Sequence, residues 1–312
     1  MNLSPRILLA LSIGSLGMPL PAQIDDVPIY EDSFDDEPSA EDAALLTAVA
    51  KLHASERLID RATIELSLDR REFAAALPPP RTTALRGTAV WRLARASYVR
   101  IGHYFRCKDC EDWHLELSGG MVVAPGGIVA TSRHVVVPDD DSMAESWLVC
   151  ADDDGRVYPV LELLASDPVT DLAILRTAAI ALPPLPLRTT VQPGERVYVF
   201  SDPGGSRGVF TSGILNRFVR ERVEGTDRRR VMMDVSVEWA PGSSGAAVLD
   251  EFGNAIGQVN AVSTHDELLE PAAPAAPPRS VTYMVMHHAA RAADLLALLP
   301  LPKQSGATGR ER

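Results

Sequence analysis

From about residue 92 onward the chain is built of short apolar runs, and their length and spacing most constrain its fold. ASYVRI, GGMVVAPGGIVATSRHVVV, SWLVCADDDGRVYPVLELL, DLAILR, ERVYVFSDPGG, GVFTSGILNRF, RRVMMDVSV and AAVLDEFGNAIGQVNAV are rich in Val and Ile and separated by Gly, Pro and Asp. Such runs read as strands, and many of them at close spacing specify a sandwich or a barrel. PGG at 125–127, DDDG at 152–155 and DEFGN at 250–254 carry hairpin-turn chemistry. The expectation is an all-β domain over 92–299 that ends in a helix-compatible run, HHAARAADLLALL, at 287–299.

The preceding segment has a different texture. Between 39 and 77 the residues favour helix, and Leu45, Leu52, Ile59, Leu66 and Phe73 recur every seven positions. Val49 and Ala62 extend that apolar seam, whereas Glu56, Asp69 and Arg70 interrupt it. A helical arm packing on its own domain is therefore favoured over a homo-oligomer formed through residues 43–77. LPPPR at 77–81 ends the helix, because proline cannot continue one. Residues 43–91 thus read as a helical arm with a Pro-rich connector.

The N-terminus combines Arg6, an apolar run from Ile7 to Met18 and a small residue at Ala22, which reads as a signal peptide over 1–22. The chain is expected to be exported, periplasmic or secreted, with no integral membrane span after cleavage. The acidic stretch at 23–42 reads as a disordered linker, and 300–312 as a disordered tail. With 30 Lys+Arg against 42 Asp+Glu and a net charge of -12, binding to a phosphate backbone, and so nucleic acid as a partner, is not expected. In HYFRCKDCEDWH, His103 and His114 flank Cys107 and Cys110. A local Cys107–Cys110 disulfide is the first expectation, ahead of a structural metal and of redox catalysis. Cys150, in an apolar run, reads as a buried small residue. No cofactor and no metal are expected.

Three polar segments interrupt the apolar texture in order: His134 at the end of a β-type run, Asp171 just before another, and Ser244 within GSSG. His, Asp, Ser is a recurring chain order of the hydrolase triad. GGIVATSRHVV is similar to the Gly-x-(I/V)-(V/L)-T-x-x-HVV segment of trypsin-like serine peptidases of the HtrA type. DLAIL and GSSGAAVLDEFGNAIG resemble that family's aspartate and nucleophile segments, and PGERVYVFSDPGG and FTSGIL its intervening strands. The stretch from Ala96 to Ala261 therefore resembles a trypsin-like serine peptidase. No PDZ module is visible in the residues that follow Val262.

The resemblance implies two antiparallel β-barrels, chymotrypsin-like, with His134 and Asp171 from the first and Ser244 from the second. It implies a serine endopeptidase acting on polypeptide substrates through an acyl-enzyme intermediate, with the backbone N–H groups of Gly242 and Ser244 as the oxyanion hole. Val259 and Asn260 are candidates for pairing with an extended substrate, and Glu238 for the base of the specificity pocket. Arg133, Ser243, Ala246 and Ala247 depart from the family pattern, which leaves Ser243 a local hydrogen-bonding residue. Two alternatives stand beside this reading. One is a catalytically silent peptide-binding protein with the peptidase fold. The other is a nucleophile-elbow esterase using Asp250 and His265 or His287.

Overall fold

The computed structural model describes residues 27–30, 39–71, 75–269 and 279–299. The expected signal peptide, most of the acidic linker and the tail lie outside them. The chain divides after Tyr30, and everything below concerns the second unit, Glu31–Arg312.

In chain order the elements are α1 (Ala40–Ala54), β1 (Ile59–Asp60), α2 (Arg61–Glu65), α3 (Gly87–Ser97), β2 (Tyr98–Cys107), β3 (Trp113–Ala124), β4 (Ile128–Ser132) and α4 (Arg133–Val136). There follow β5 (Met143–Asp152), β6 (Val157–Asp167), β7 (Leu172–Thr177), β8 (Arg196–Ser201) and β9 (Val209–Arg222). The last are β10 (Arg229–Val235), β11 (Ala247–Asp250), β12 (Ala255–Leu269), β13 (Arg279–Arg291) and α5 (Ala292–Leu298). Every strand pairing within the sheets is antiparallel. The parallel sheet that a nucleophile-elbow esterase requires is thus not found among the described residues.

The architecture is all-β but corrects the expectation of two barrels. β8 to β13 close into a six-stranded barrel in the order β10-β13-β12-β11-β8-β9, whereas β1 to β7 form a seven-stranded sheet in the order β1-β5-β2-β3-β4-β7-β6. The helical arm accounts for the difference. Its β1 pairs with Trp147 and Leu148, occupying part of the edge of β5. β6 meets that edge only through Val149, Cys150 and Ala151. The sheet curls enough to enclose a core of Val99, Ile101, Val122, Val129, Leu148, Leu163 and Leu175 without becoming a closed barrel.

The arm is shorter than its heptads suggest. Ser39 caps α1 by accepting from the Asp42 N–H at 3.1 Å, and Leu45 and Val49 are buried. Val49 packs on Tyr104 and Val149, with Leu46, Leu115 and Leu117 beside them. Glu56 then adopts φ 56°, left-handed backbone that ends the helix, and Leu66 is 89% exposed. The final helix is also shorter than expected. His287 to Arg291 extend β13, because Arg291 pairs with Gly257 in the long β12–β13 hairpin. The three glycine-marked turns stand at the predicted hairpins, with Gly126, Gly155 and Gly253 all at positive φ. No helix among the described residues is long and apolar enough to cross a membrane.

The sheet and the barrel touch through small residues. A Cβ on Gly119 would lie 2.7 Å from the Ala246 nitrogen, and one on Gly245 would lie 2.3 Å from the Gly119 oxygen. This close approach explains the glycine after the serine pair and the alanine that follows. It brings the end of β4 and the loop before β11 to the same cleft.

Candidate active site

α4 is a single turn, so its first N–H groups lack intrahelical acceptors. Asp171 supplies them. Its backbone oxygen accepts from the Arg133 N–H at 3.0 Å and its Oδ1 from the His134 N–H at 2.9 Å. Its other oxygen, Oδ2, lies 2.6 Å from His134 Nδ1. One carboxylate thus holds both the backbone and the ring of His134. That ring nitrogen carries the proton it donates, which leaves Nε2 as the basic atom. The β4–β7 register, which pairs Ser132 with Leu172, sets the two residues side by side. Asp171 adopts φ 56° to do so, a strained conformation that Asp tolerates better than most residues.

Asn260 has a side-chain partner that sequence reasoning did not assign to it. Its Nδ2 donates to Asp171 Oδ2 at 2.8 Å, so it contacts the carboxylate that grips His134. Val259 is engaged as well. Its carbonyl accepts from the Gly245 N–H at 2.8 Å and its N–H donates to the Ala246 oxygen at 2.9 Å. Both candidates for substrate pairing therefore have partners within the site, Val259 on the loop that carries Ser244 and Asn260 on Asp171. Buried polar groups need partners, so Gln258 and Asn260 in an otherwise apolar strand were a signal for such roles.

The two serines of GSSG differ in environment. Ser243 is fully buried, with its Oγ accepting from Ser201 Oγ at 3.0 Å and its carbonyl accepting from the Ala246 N–H at 3.0 Å. Ser244 is half-buried and opens with His134, Gly242 and Ser118 onto a cavity of about 260 Å3. No hydrogen bond joins Ser244 Oγ to His134 among the described residues. Such contacts are often long before a substrate binds.

The Ser243 N–H donates to the Ala240 carbonyl at 3.1 Å, and the peptides before and after it, Pro241–Gly242 and Ser243–Ser244, lie at the border of this cleft. Pro241 O accepts from the Gly204 N–H at 2.8 Å, and a trans peptide directs the following Gly242 N–H the opposite way. Likewise the Ser243 carbonyl is tied back by Ala246, and the Ser244 N–H makes no backbone hydrogen bond among the described residues. Gly242 has φ 96°, and a Cβ there would lie 2.7 Å from the Asp202 oxygen. Ser118 Oγ donates to the Ser244 carbonyl at 3.1 Å from the facing sheet.

Glu238 lies outside this cleft. Its side chain is exposed, and its carbonyl accepts from Thr211 Oγ1 at 3.0 Å. His265 is exposed on β12, and Asp250 is paired with Arg188 at 2.6 Å. His103 and His114 do not form a symmetric pair. His103 is buried and its Nε2–H donates to the Val136 carbonyl at 3.1 Å, whereas His114 Nε2 lies 3.0 Å from Cys110 Sγ. Cys107 and Cys110 stand as free thiols, so the expected disulfide is not formed here. Cys150 is buried as expected, and that burial pushes its thiol pKa well up.

Residues 118–257 match the trypsin-like peptidase domain family. A probable periplasmic serine endoprotease DegP-like of Halomonas elongata is 29% identical over 143 residues, which is 45% of this chain and 28% of that protein. A DegP-like relative of Brucella suis is 30% identical over 148 residues, 44% of this chain and 26% of that protein. The serine endoprotease DegS of Haemophilus influenzae is 24% identical over 143 residues, covering 45% and 40%. The chain thus spans less than half the length of each of these relatives. A solved structure of the HtrA-type protease AlgW with a tripeptide aligns at a TM-score of 0.51 and 20% identity, over 68% of this chain and 62% of that one. The chain therefore carries a trypsin-like peptidase domain. That domain resembles the HtrA/DegP family of serine proteases, which supports a protease function at the level of the family.

Proposed function

We propose that this chain is an exported serine endopeptidase, periplasmic or secreted, that cleaves polypeptides with His134, Asp171 and Ser244. The observation that carries the reading is the double grip of Asp171 on His134, beside the cleft that Ser244 shares. Ser244 Oγ attacks the scissile carbonyl while His134 Nε2 takes its proton. Asp171 fixes the tautomer and stabilises the imidazolium. The N–H groups of Gly242 and Ser244 hold the oxyanion of the tetrahedral intermediate. Collapse breaks the C–N bond, the amine leaves with the proton from His134, and an ester to Ser244 remains. Water, deprotonated by His134, then hydrolyses that ester and restores the serine.

The periplasmic location rests on the similar DegP-like proteins, which carry it in their names. The test is covalent labelling by a fluorophosphonate, read by intact mass, on the native chain and on Ser244→Ala, His134→Ala and Ser243→Ala. Labelling that persists only in the native chain and Ser243→Ala is the expected result. An unlabelled native chain that still binds extended peptides would instead identify a silent binding protein.

A further inference from the structure

The tip of the β2–β3 hairpin brings three metal-ligand side chains together. Cys107 ends β2, Cys110 sits in the turn, and His114 is the second residue of β3. Their Sγ, Sγ and imidazole nitrogen atoms all lie within 4.8 Å of one another. From these positions we propose that Cys107, Cys110 and His114 form a zinc site, with water completing a tetrahedron.

The turn is shaped for sulfur ligands. The Cys107 N–H donates to the Asp112 oxygen at 2.9 Å, closing the loop, and Glu111 takes φ 62° to reverse the chain just after Cys110. The Asp109 N–H donates to Cys107 Sγ at 3.3 Å. A donor aimed at sulfur favours the thiolate, the form that binds metal.

His114 is oriented independently. It pairs across the strands with Phe105, and the two rings stack with centroids 5.4 Å apart. This leaves Nε2 facing Cys110 Sγ at 3.0 Å. Zinc bonds to sulfur of about 2.3 Å imply sulfurs about 3.8 Å apart in a tetrahedral site, so only a small closure is needed. Two thiolates and an imidazole suit zinc, whereas calcium and magnesium require oxygen cages. Asp109, Glu111 and Asp112 add negative potential around the turn.

The site stands apart from the proposed triad but on a strand that leads to it. His114, Leu115, Leu117 and Ser118 line a second cavity of about 610 Å3 that reaches Gly242. A metal at the hairpin tip therefore steadies the wall of that cavity.

The test is zinc binding by untagged, reduced, chelator-stripped protein, measured by competition with a chromophoric chelator. Cobalt substitution supplies the ligand signature. One metal ion per chain and a cobalt spectrum with thiolate charge-transfer and tetrahedral d–d bands are expected. Cys110→Ser and His114→Ala should each weaken binding by at least about 10-fold, as loss even of a supporting partner does. Cys150→Ser should bind like the native chain. Zinc should also slow hydrogen exchange of the amides from 107 to 114. Equal binding by the native chain and His114→Ala would overturn the proposal, as would a cobalt spectrum without the sulfur band. So would a Cys107–Cys110 disulfide in the exported protein, found by intact mass.

Discussion

Ser263 and His288 meet at 2.7 Å between Oγ and Nε2, and the other nitrogen of His288 lies 2.7 Å from Oδ1 of the fully buried Asp234. The chain of hydrogen bonds is the one a catalytic serine requires, and it is better closed than that of Ser244. It nevertheless lacks an oxyanion site. Ser263 is paired with Met286 inside the β12–β13 ladder, and successive N–H groups of a strand point to opposite sides. Asp234 is also shared with Arg217 at 2.5 Å, which weakens its hold on the imidazole. Fluorophosphonate labelling and peptide hydrolysis are therefore expected to stay within about 2-fold in Ser263→Ala, as for most surface changes. Mapping the adduct to Ser263 by peptide mass would reverse the assignment of the nucleophile.

The bond from Asn260 to Asp171 makes a second prediction. A hydrogen bond to a charged group is worth about 1.5–3 kcal/mol, and Asn260→Ala removes one from the carboxylate that orients His134. A fall in kcat of about 10-fold or more with KM nearly unchanged is expected in steady-state kinetics. A raised KM at constant kcat would return Asn260 to the role of a substrate contact.

The sequence made the triad candidates legible because each lies in a segment whose local chemistry is self-contained. His134 follows a strand, Asp171 precedes one, and the serine pair with Ser244 sits between glycines needed for close approach. The separate fate of Ser243 was also legible. Asn260 was harder to read: a polar side chain in an apolar run signals that it needs a partner, but that partner is 89 residues away and nothing local names it. The open first sheet was hidden for a similar reason. β1 is a two-residue strand in a segment whose heptads read as helix, and its pairing with β5 overrides that propensity. His287 to Arg291 show the same conflict, where hairpin pairing outweighs an alanine-rich helical composition.

Gly242 tests the oxyanion site directly. Its φ of 96° and the nearby Asp202 oxygen leave no room for a side chain, so Gly242→Ala must turn the peptide whose N–H is proposed to hold the oxyanion. Loss of one such donor costs about 100 to 1,000-fold in kcat. The labelling rate at Ser244 should fall in step while the circular dichroism spectrum is retained. Unchanged turnover in a folded Gly242→Ala protein would remove this peptide from the mechanism.

The helical arm reaches the same loop through Arg207. This nearly buried guanidinium pairs with Glu41 of α1 and donates to the Asp153 carbonyl at 2.8 Å, from the loop in which the Gly204 N–H holds Pro241. Arg207→Ala should lower stability by about 1–3 kcal/mol in urea unfolding, since hydrogen bonds to a charge are lost. It should also slow labelling of Ser244. Glu41→Gln, on the exposed side of the pair, should cost less than about 1 kcal/mol. Equal effects of the two changes would contradict this division.

Stability against pH should reflect two buried groups with opposite signs. Asp202, beside Gly242, is raised from 3.8 to about 6, chiefly by burial, although the Gly208 N–H and Arg100 favour its charged form. The fold therefore prefers Asp202 protonated. That contribution is complete below pH 3.8 and is lost as pH rises through about 6. His103 is lowered from 6.5 to about 4, again chiefly by burial, with Arg61 adding to the effect. The fold prefers it neutral, so its contribution is complete above pH 6.5 and is lost as pH falls towards 4. Between these limits the two slopes oppose one another, and the native chain should show a shallow dependence. Asp202→Asn keeps an acceptor for Gly208 and removes one slope. Its urea midpoint should therefore climb more steeply from pH 4 to 6.5 than that of the native chain. At pH 7.5 it should be the more stable protein, by on the order of 1–3 kcal/mol. Parallel curves for the two proteins from pH 4 to 7.5 would show that Asp202 titrates alike in the folded and unfolded states.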